Sequence, residues 1–338
     1  MTRGKKLSII SGVMIAIIAI ALIFVLVDDD NPIETEPYDT SIGYTDTANW
    51  MSYLDDSKYI SEITIPGTHD STTENIAMGY IMRCQNTSIN QQLLDGYRYL
   101  DLRLAIDSRD EGDELKLVHN FLNCHAGSGL FSDSLHLEDV TKQIYSFLDE
   151  HPDETVIVNT KIEDDDHSVS EIQKLLIEEI NENQNYWYTE ETIPTLGEAR
   201  GKIVLMTRFK DEAATGTTGI QTIWTEQDNK DIIDIPYDLY VTDNCRLWVQ
   251  DRFKYSVDDK YDAVVDGLEN CEADENTIFL NFVSTSGSGL FGHPKGYARK
   301  LNNMIMDYEF KPNTSYGIIV VDFGNEDLAR HIYMSNGF

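Results

Sequence analysis

After Trp50 the chain alternates between short runs of consecutive apolar residues and longer stretches in which apolar residues recur every third or fourth position. Runs such as VIVN (156–159), KIVLM (202–206) and GIIVV (317–321) are short for helices and too continuous for half-exposed strands, a pattern that suits parallel strands covered on both faces. The spacing predicts strands over Glu62–Thr68, Arg98–Ala105, Leu115–His119, Thr155–Ile162, Lys202–Thr207, Leu247–Gln250, Thr277–Val283 and Tyr316–Asp322. Helices are predicted over Leu137–Glu150, Ser168–Asn183, Val257–Cys271, Lys295–Met306 and Asp327–Met334. Strands in this number with helices between them predict an α/β fold, a (β/α)8 TIM barrel. The connection Ile106–Glu114 is short and polar and holds Gly112, leaving no room for a crossover helix, so the barrel is expected to be irregular. An open doubly wound sheet is the alternative, although no G-x-G-x-x-G follows any of these strands.

The N-terminus follows a different pattern. Leu7–Val27 holds no charged residue and could span the ~30 Å hydrocarbon core as a helix. Arg3, Lys5 and Lys6 precede it and Asp28, Asp29 and Asp30 follow, which expects residues 1–6 to be cytoplasmic and the rest of a single-pass membrane protein to lie outside the cell. A cleaved signal peptide is the alternative, yielding a secreted protein. Residues 28–49 are acidic, carry Pro32 and Pro37, and read as a stalk to a single catalytic domain over residues 50–338. An external compartment permits disulfides. The pairings expected are Cys84–Cys124 and Cys245–Cys271, since each couple lies in neighbouring stretches of the barrel, with buried free thiols as the alternative.

Charge narrows the function classes. The chain holds 26 Lys and Arg against 59 Asp and Glu, a formal net charge of −33, and −36 once the three basic residues before Val27 are set aside. Nucleic-acid binding, which depends on Lys and Arg neutralising phosphates, is excluded as a first reading.

The C-terminal ends of barrel strands are where chemistry gathers in this architecture. His69 and Asp70 end the first predicted strand, Asp101 and Arg103 the second, and His119 the third; Lys161 and Glu163 end the fourth, Asp251 the sixth and Asp322 the last. Each has an ordinary structural reading: a strand-end His as a satisfied polar group, Asp101 as a turn cap paired with Arg103, and Glu163–His167 as a solvated acidic loop. Taken jointly, two His with Arg and Lys suit attack on a phosphodiester, one His removing a hydroxyl proton, the other protonating the leaving alkoxide, and the cations holding phosphate charge.

The same residues carry a resemblance. ITIPGTHDS (Ile63–Ser71), GYRYLDLR (Gly96–Arg103), KLVH (Lys116–His119), FLDEHPDETVIVNTKIE (Phe147–Glu163), IPTLGEARGKIVL (Ile193–Leu205), VQDR (Val249–Arg252), IFLNF (Ile278–Phe282) and YGIIVVDF (Tyr316–Phe323) occur in this order, and together resemble phosphatidylinositol-specific phospholipase C of the bacterial type. The resemblance implies a distorted barrel that cleaves phosphatidylinositol to diacylglycerol and an inositol cyclic phosphate. It implies His69 as general base on the inositol 2-hydroxyl, Asp322 as the carboxylate orienting that base, and His119 as general acid. Arg103 beside Asp70 would hold the phosphate, in a place where metal-dependent relatives use calcium, so no metal or cofactor is expected. Lys161, Glu163, Arg200, Asp251 and Phe253, with Asp101, are implied as substrate-binding residues. His119 is followed by Asn120 where Gly is usual, and His125 in the longer segment that follows is a competing candidate for the acid. Ile76–Met82 and Gly289–Gly292 are candidate membrane-insertion segments on one rim. The partner expected is an inositol phospholipid at a membrane surface, free or glycosylated, with the protein a monomer. Two alternatives remain: a metal-dependent glycerophosphodiester phosphodiesterase, and an inactive module binding inositol lipids.

Overall fold

The computed structural model describes residues 32–35, 37, 46–110, 112–129, 132–214, 216, 219–228, 238–241, 245–288 and 292–338. Its strands are β1 (Ile65–Thr68), β2 (Tyr99–Arg109), β3 (Gly112–His119), β4 (Leu122–Asn123), β5 (Val156–Ile162), β6 (Trp187–Tyr188), β7 (Ile203–Thr207), β8 (Ile220–Gln221), β9 (Asp238–Val241), β10 (Arg246–Gln250), β11 (Thr277–Phe282) and β12 (Ile318–Val321). The helices are α1 (Gly79–Met82), α2 (Ile89–Leu94), α3 (Leu137–Glu150), α4 (Val169–Glu182), α5 (Leu196–Ala199), α6 (Val257–Glu269), α7 (Pro294–Met306) and α8 (Glu326–Tyr333).

The strands form one curled sheet in the order β6-β7-β5-β2-β1-β12-β11-β10-β9. Every neighbouring pair from β6 to β10 is parallel, and β9 is antiparallel to β10. Among the described residues no ladder joins β8 to β9 or β10, so the sheet is a curled half-barrel, an irregular barrel of the kind expected. Side chains span part of the gap: Gln227 Nε2 donates to Val249 O at 3.1 Å, and Trp224 Nε1 donates to Asp251 Oδ2 at 3.1 Å.

The unbroken apolar runs are explained by burial on both faces. Ile318 and Val320 of β12 pack inward with Ile65, Leu280, Leu247 and Val204. Ile319 and Val321, between them in sequence, pack outward against Leu301 and Ile305 of α7 and Leu328 and Ile332 of α8. Each such side chain removed from water contributes about 1.5–3 kcal/mol. Helix starts are encoded locally: Ser168 and Glu171 form a capping box on α4, and Asn325 Oδ1 accepts from Leu328 N at 2.9 Å to open α8.

Other expectations change here. β3 is not a barrel strand but the antiparallel return of a hairpin from β2, with Leu104 opposite Leu117 and Arg109 opposite Gly112. Most of the short polar connection is therefore strand, Ile106–Arg109 closing β2 and Gly112–Glu114 opening β3, with Gly112 at φ +138°. None of the four cysteines is joined in a disulfide, and Cys84, Cys124 and Cys245 are buried, so neither expected pairing forms. Cys124 instead accepts from Thr72 Oγ1 at 3.5 Å, and Cys84 Sγ lies 3.8 Å from Asp70 Oδ2.

The expected single-pass membrane placement is also corrected. Among the described residues no helix is long and apolar enough to cross a membrane, and Leu7–Val27, on which the placement rested, lies outside them. Part of the expected stalk is packed onto the barrel: Ile33 is buried against Ala298 and Phe323, and Asn325 Nδ2 donates to its carbonyl at 3.0 Å.

Candidate active site

The carboxyl ends of the strands bring most of the charged residues together around a cleft of about 430 Å³. A larger opening of about 610 Å³ adjoins it across Asn120, Lys161 and Glu163 but holds neither His69 nor His119.

β1 delivers His69, whose N–H donates to Val321 O at 3.0 Å and so ties it to the end of β12. Asp70 follows at φ +44° and Phe323, just after Asp322, sits at φ +49°. Non-glycine residues in this left-handed region cost of order 1–3 kcal/mol and persist where the surroundings hold them. Here Asp70 N donates to Asp101 Oδ2 at 3.2 Å and Phe323 N donates to Cys84 O at 2.7 Å. The turns aim both carboxylates at His69.

His69 Nδ1 lies 2.8 Å from Asp322 Oδ1, which fixes the proton of the neutral ring on Nδ1 and turns Nε2 to the cleft. Nε2 is 3.3 Å from Asp70 Oδ2 and 3.1 Å from Arg103 Nη2. Burial works against a charged imidazole, but Asp70 and Asp322 outweigh it and raise the His69 pKa to about 9.

His119 reaches the same carboxylate from the hairpin. The β2–β3 register brings it back level with Leu102, beside Arg103. His119 Nδ1 donates to Met82 O at 2.8 Å, and its Nε2 lies 3.2 Å from Asp70 Oδ2, so one oxygen stands between the two imidazoles. Asn120 has φ +53°, a conformation Gly or Asn adopts most readily, which explains Asn at a turn where Gly is usual. His125 is not in this cleft; its Nδ1 lies 3.1 Å from Ser132 O beside a separate small cavity.

Arg103 is enclosed by three carboxylates. Its Nε is 2.7 Å from Asp70 Oδ1, an ion pair too bent to count as a hydrogen bond. Nη2 is 3.2 Å from Asp101 Oδ2, and Nη1 donates to Glu163 Oε1. Burial opposes its charge, yet the three acids hold its pKa above the ordinary value. Burial likewise disfavours the Glu163 carboxylate, but Arg103, Lys161 and the Asn120 N–H bring its pKa down to about 2. Lys161 Nζ contacts Glu163 at 3.1 Å and Glu226 at 3.4 Å; Asp251 and Phe253 line the far wall.

Arg200 lies elsewhere. It precedes β7, at the opposite end of the strand from the cleft, where Nε donates to Asp56 Oδ1 at 2.6 Å and the guanidinium binds the carbonyls of Met51, Leu54 and Asp153. The basic residue that β7 does bring to the cleft is Arg208, stacked 3.7 Å over Trp224 and 3.3 Å from Glu226. Its position directly after KIVLMT was the available signal, since it obeys the same strand-end rule as the others. Glu226, in an irregular segment, carries no such signal.

The rim is only partly apolar. Met78 and Phe121 are exposed, while Ile76 and Met82 are buried and Tyr80 stacks on His293 at 4.1 Å. Residues 289–291 of the second candidate insertion segment lie outside the described residues.

Three comparisons bear on this arrangement. The family described as phosphatidylinositol-specific phospholipase C, X domain, matches residues 63–209. A 1-phosphatidylinositol phosphodiesterase of Staphylococcus aureus (strain Newman) is 30% identical over 315 residues, covering 85% of this chain and 94% of that one. Its namesake in Listeria monocytogenes is 27% identical, covering 86% of each. Among solved structures, a phosphatidylinositol-specific phospholipase C of S. aureus superposes with a TM-score of 0.72 at 26% identity, covering 87% of this chain and 98% of that one.

Proposed function

The chain belongs to the phosphatidylinositol-specific phospholipase C family, and from that premise we propose that it cleaves the glycerol–phosphate bond of phosphatidylinositol by His general base and general acid catalysis. His69 Nε2 takes the proton of the inositol 2-hydroxyl. The alkoxide oxygen bonds to phosphorus as the phosphorus–glycerol oxygen bond breaks, and His119 Nε2 gives its proton to the departing diacylglycerol oxygen, leaving an inositol cyclic phosphate. Asp322 holds His69 in the tautomer a base requires and stabilises the imidazolium that forms. Arg103 holds the non-bridging phosphate oxygens through the charge-assisted contacts it now gives to carboxylates. Lys161, Asp251, Phe253 and Arg208 line the space the inositol ring would occupy, while Met78 and Phe121 face outward where acyl chains would lie.

The observation that supports this reading most is the approach of both imidazole Nε2 atoms, at 3.3 and 3.2 Å, to one oxygen of Asp70, with Arg103 on the other oxygen. Arg103 stands among Asp70, Asp101 and Glu163, where a metal-dependent phosphodiesterase would need an ion. Release of water-soluble inositol phosphate from labelled phosphatidylinositol in excess EDTA is the expected result. Turnover only on adding calcium would overturn the mechanism.

A further inference from the structure

The cleft contains a group for which the proposed chemistry has no use, the thiol of Cys84. It is buried beside Asp70, and its Sγ is 3.8 Å from Asp70 Oδ2, the oxygen that His69 Nε2 approaches at 3.3 Å. One donor atom from each of His69, Asp70 and Cys84 falls within 4.8 Å of the others. Nitrogen, oxygen and sulfur ligands of a zinc ion sit about 2.0–2.3 Å from it, hence roughly 3.3–3.6 Å from one another at tetrahedral angles. The edge from His69 Nε2 to Asp70 Oδ2, at 3.3 Å, has the required length, the edge from Asp70 Oδ2 to the Cys84 sulfur, at 3.8 Å, is a few tenths of an ångström long, and the remaining edge, within 4.8 Å, closes when the side chains turn to the ion.

We propose that His69, Asp70 and Cys84 form a binding site for a thiophilic divalent cation of the zinc class, and that its occupation blocks catalysis. The two oxygens of Asp70 divide the tasks: Oδ1 faces Arg103 and Oδ2 faces the imidazole and the thiol. Arg103 retains Asp101 and Glu163 when His69 turns its lone pair to the ion. Four carboxylates, Asp70, Asp101, Glu163 and Asp322, surround this corner and offset the charge of Arg103, so a divalent ion enters a region rich in acid. Burial, Asp322 and Asp70 keep the free thiol protonated, and a coordinated ion removes that proton by its own charge. The fourth position would face the cleft. An ion there consumes the Nε2 lone pair that must accept the hydroxyl proton, so it inhibits. Thiolate and imidazole ligands select zinc or cadmium over calcium or magnesium.

Only the blocking effect rests on the catalytic reading; ion binding is measured separately. The full protein is titrated with Zn2+ by calorimetry and with Co2+ by absorption, where a thiolate ligand produces a charge-transfer band, and its activity is then assayed with each ion. Expected are Zn2+ binding, a Co2+ thiolate band, inhibition by Zn2+ and none by Ca2+ or Mg2+. Cys84→Ala is expected to keep its metal-free activity, lose the band and bind Zn2+ at least about tenfold more weakly, whereas Cys124→Ala keeps the band. Should Cys84→Ala not fold, Cys84→Ser serves in its place. Absence of binding, a band that survives loss of the Cys84 thiol, or binding without inhibition of an active enzyme overturns the proposal. A protein inactive on phosphatidylinositol in EDTA that still shows the Cys84-dependent band would refute the catalytic reading and uphold the ion site.

Discussion

Asp322→Asn isolates the part of the site whose strength can be worked out. The His69 pKa rises from 6.5 to about 9, and at 1.36 kcal/mol per pH unit this is about 3 kcal/mol in favour of the imidazolium. Burial opposes the charged ring, so Asp70 and Asp322 together supply at least that much. Asp322 is the nearer of the two, at 2.8 Å against 3.3 Å, and an equal division assigns it about 1.5 kcal/mol. Asn keeps the shape and removes the charge, so the acid limb of kcat/KM, which reports the free enzyme, is expected to move about one pH unit lower. The amide can also present its N–H to Nδ1, which reverses the tautomer and spoils the base. Together these effects predict a fall in kcat of about 10²–10⁴-fold. The assay is initial inositol phosphate release from dispersed phosphatidylinositol, from below pH 6.5 to above pH 9. A kcat within about threefold of wild type with an unmoved acid limb would refute the assignment of Asp322.

Three further outcomes are expected. His119→Ala should lower kcat by about 10²–10⁴-fold and His125→Ala should leave it near wild type; turnover surviving the first change but not the second would move the general acid to His125. Arg208→Ala should raise KM, whereas Arg200→Ala, which frees the carbonyls of Met51, Leu54 and Asp153, should lower the urea midpoint and leave KM alone, so the reverse pattern would return Arg200 to the substrate. Stability itself should depend on pH: the folded protein binds the His69 proton more tightly than the unfolded chain, so this contribution is whole below pH 6.5 and is lost as pH rises through about 9. Urea unfolding of wild type and His69→Ala should converge across that window, by up to about 3 kcal/mol, and parallel curves would show that the raised pKa is wrong.

How far the chain could be read without coordinates varied with the physics of each part. The strands β5, β7, β11 and β12 were legible because burial on both faces forces continuous apolar runs, and α3, α4, α6, α7 and α8 because their apolar positions keep a helical period. Two-residue strands such as β6 and β8 carry no period and went unseen. His119 was placed at the right mouth by a partly wrong route, since it reaches the site on an antiparallel hairpin and not on a barrel strand. Arg200 was misplaced because it was carried by resemblance to a motif, while the strand-end rule, applied to β7, selects Arg208. The cysteines show the limit of compartment arguments. Cys84 and Cys124 do lie in neighbouring stretches, but each faces its own polar partner, Asp70 and Thr72, so proximity in the fold did not make them a pair.

The acidity of the chain takes on a local meaning at the site. A surface with a formal charge of −33 should repel an anionic lipid, but charges more than about 8–10 Å away are largely screened at ordinary ionic strength. On the proposed reading the substrate would meet Arg103 at its phosphate and Lys161 and Arg208 at its inositol ring, and each of these already has an acid: Asp70, Asp101 and Glu163 around Arg103, and Glu226 shared by Lys161 and Arg208. Binding would then be an exchange of partners and not the capture of an anion by bare cations. The carboxylates hold Arg103 in place before the substrate arrives, so little side-chain entropy remains to be lost when phosphate replaces them. The same carboxylates would then stand ready to take the guanidinium back as the cyclic phosphate leaves, which makes the acid excess at this mouth compatible with turnover of a negatively charged product.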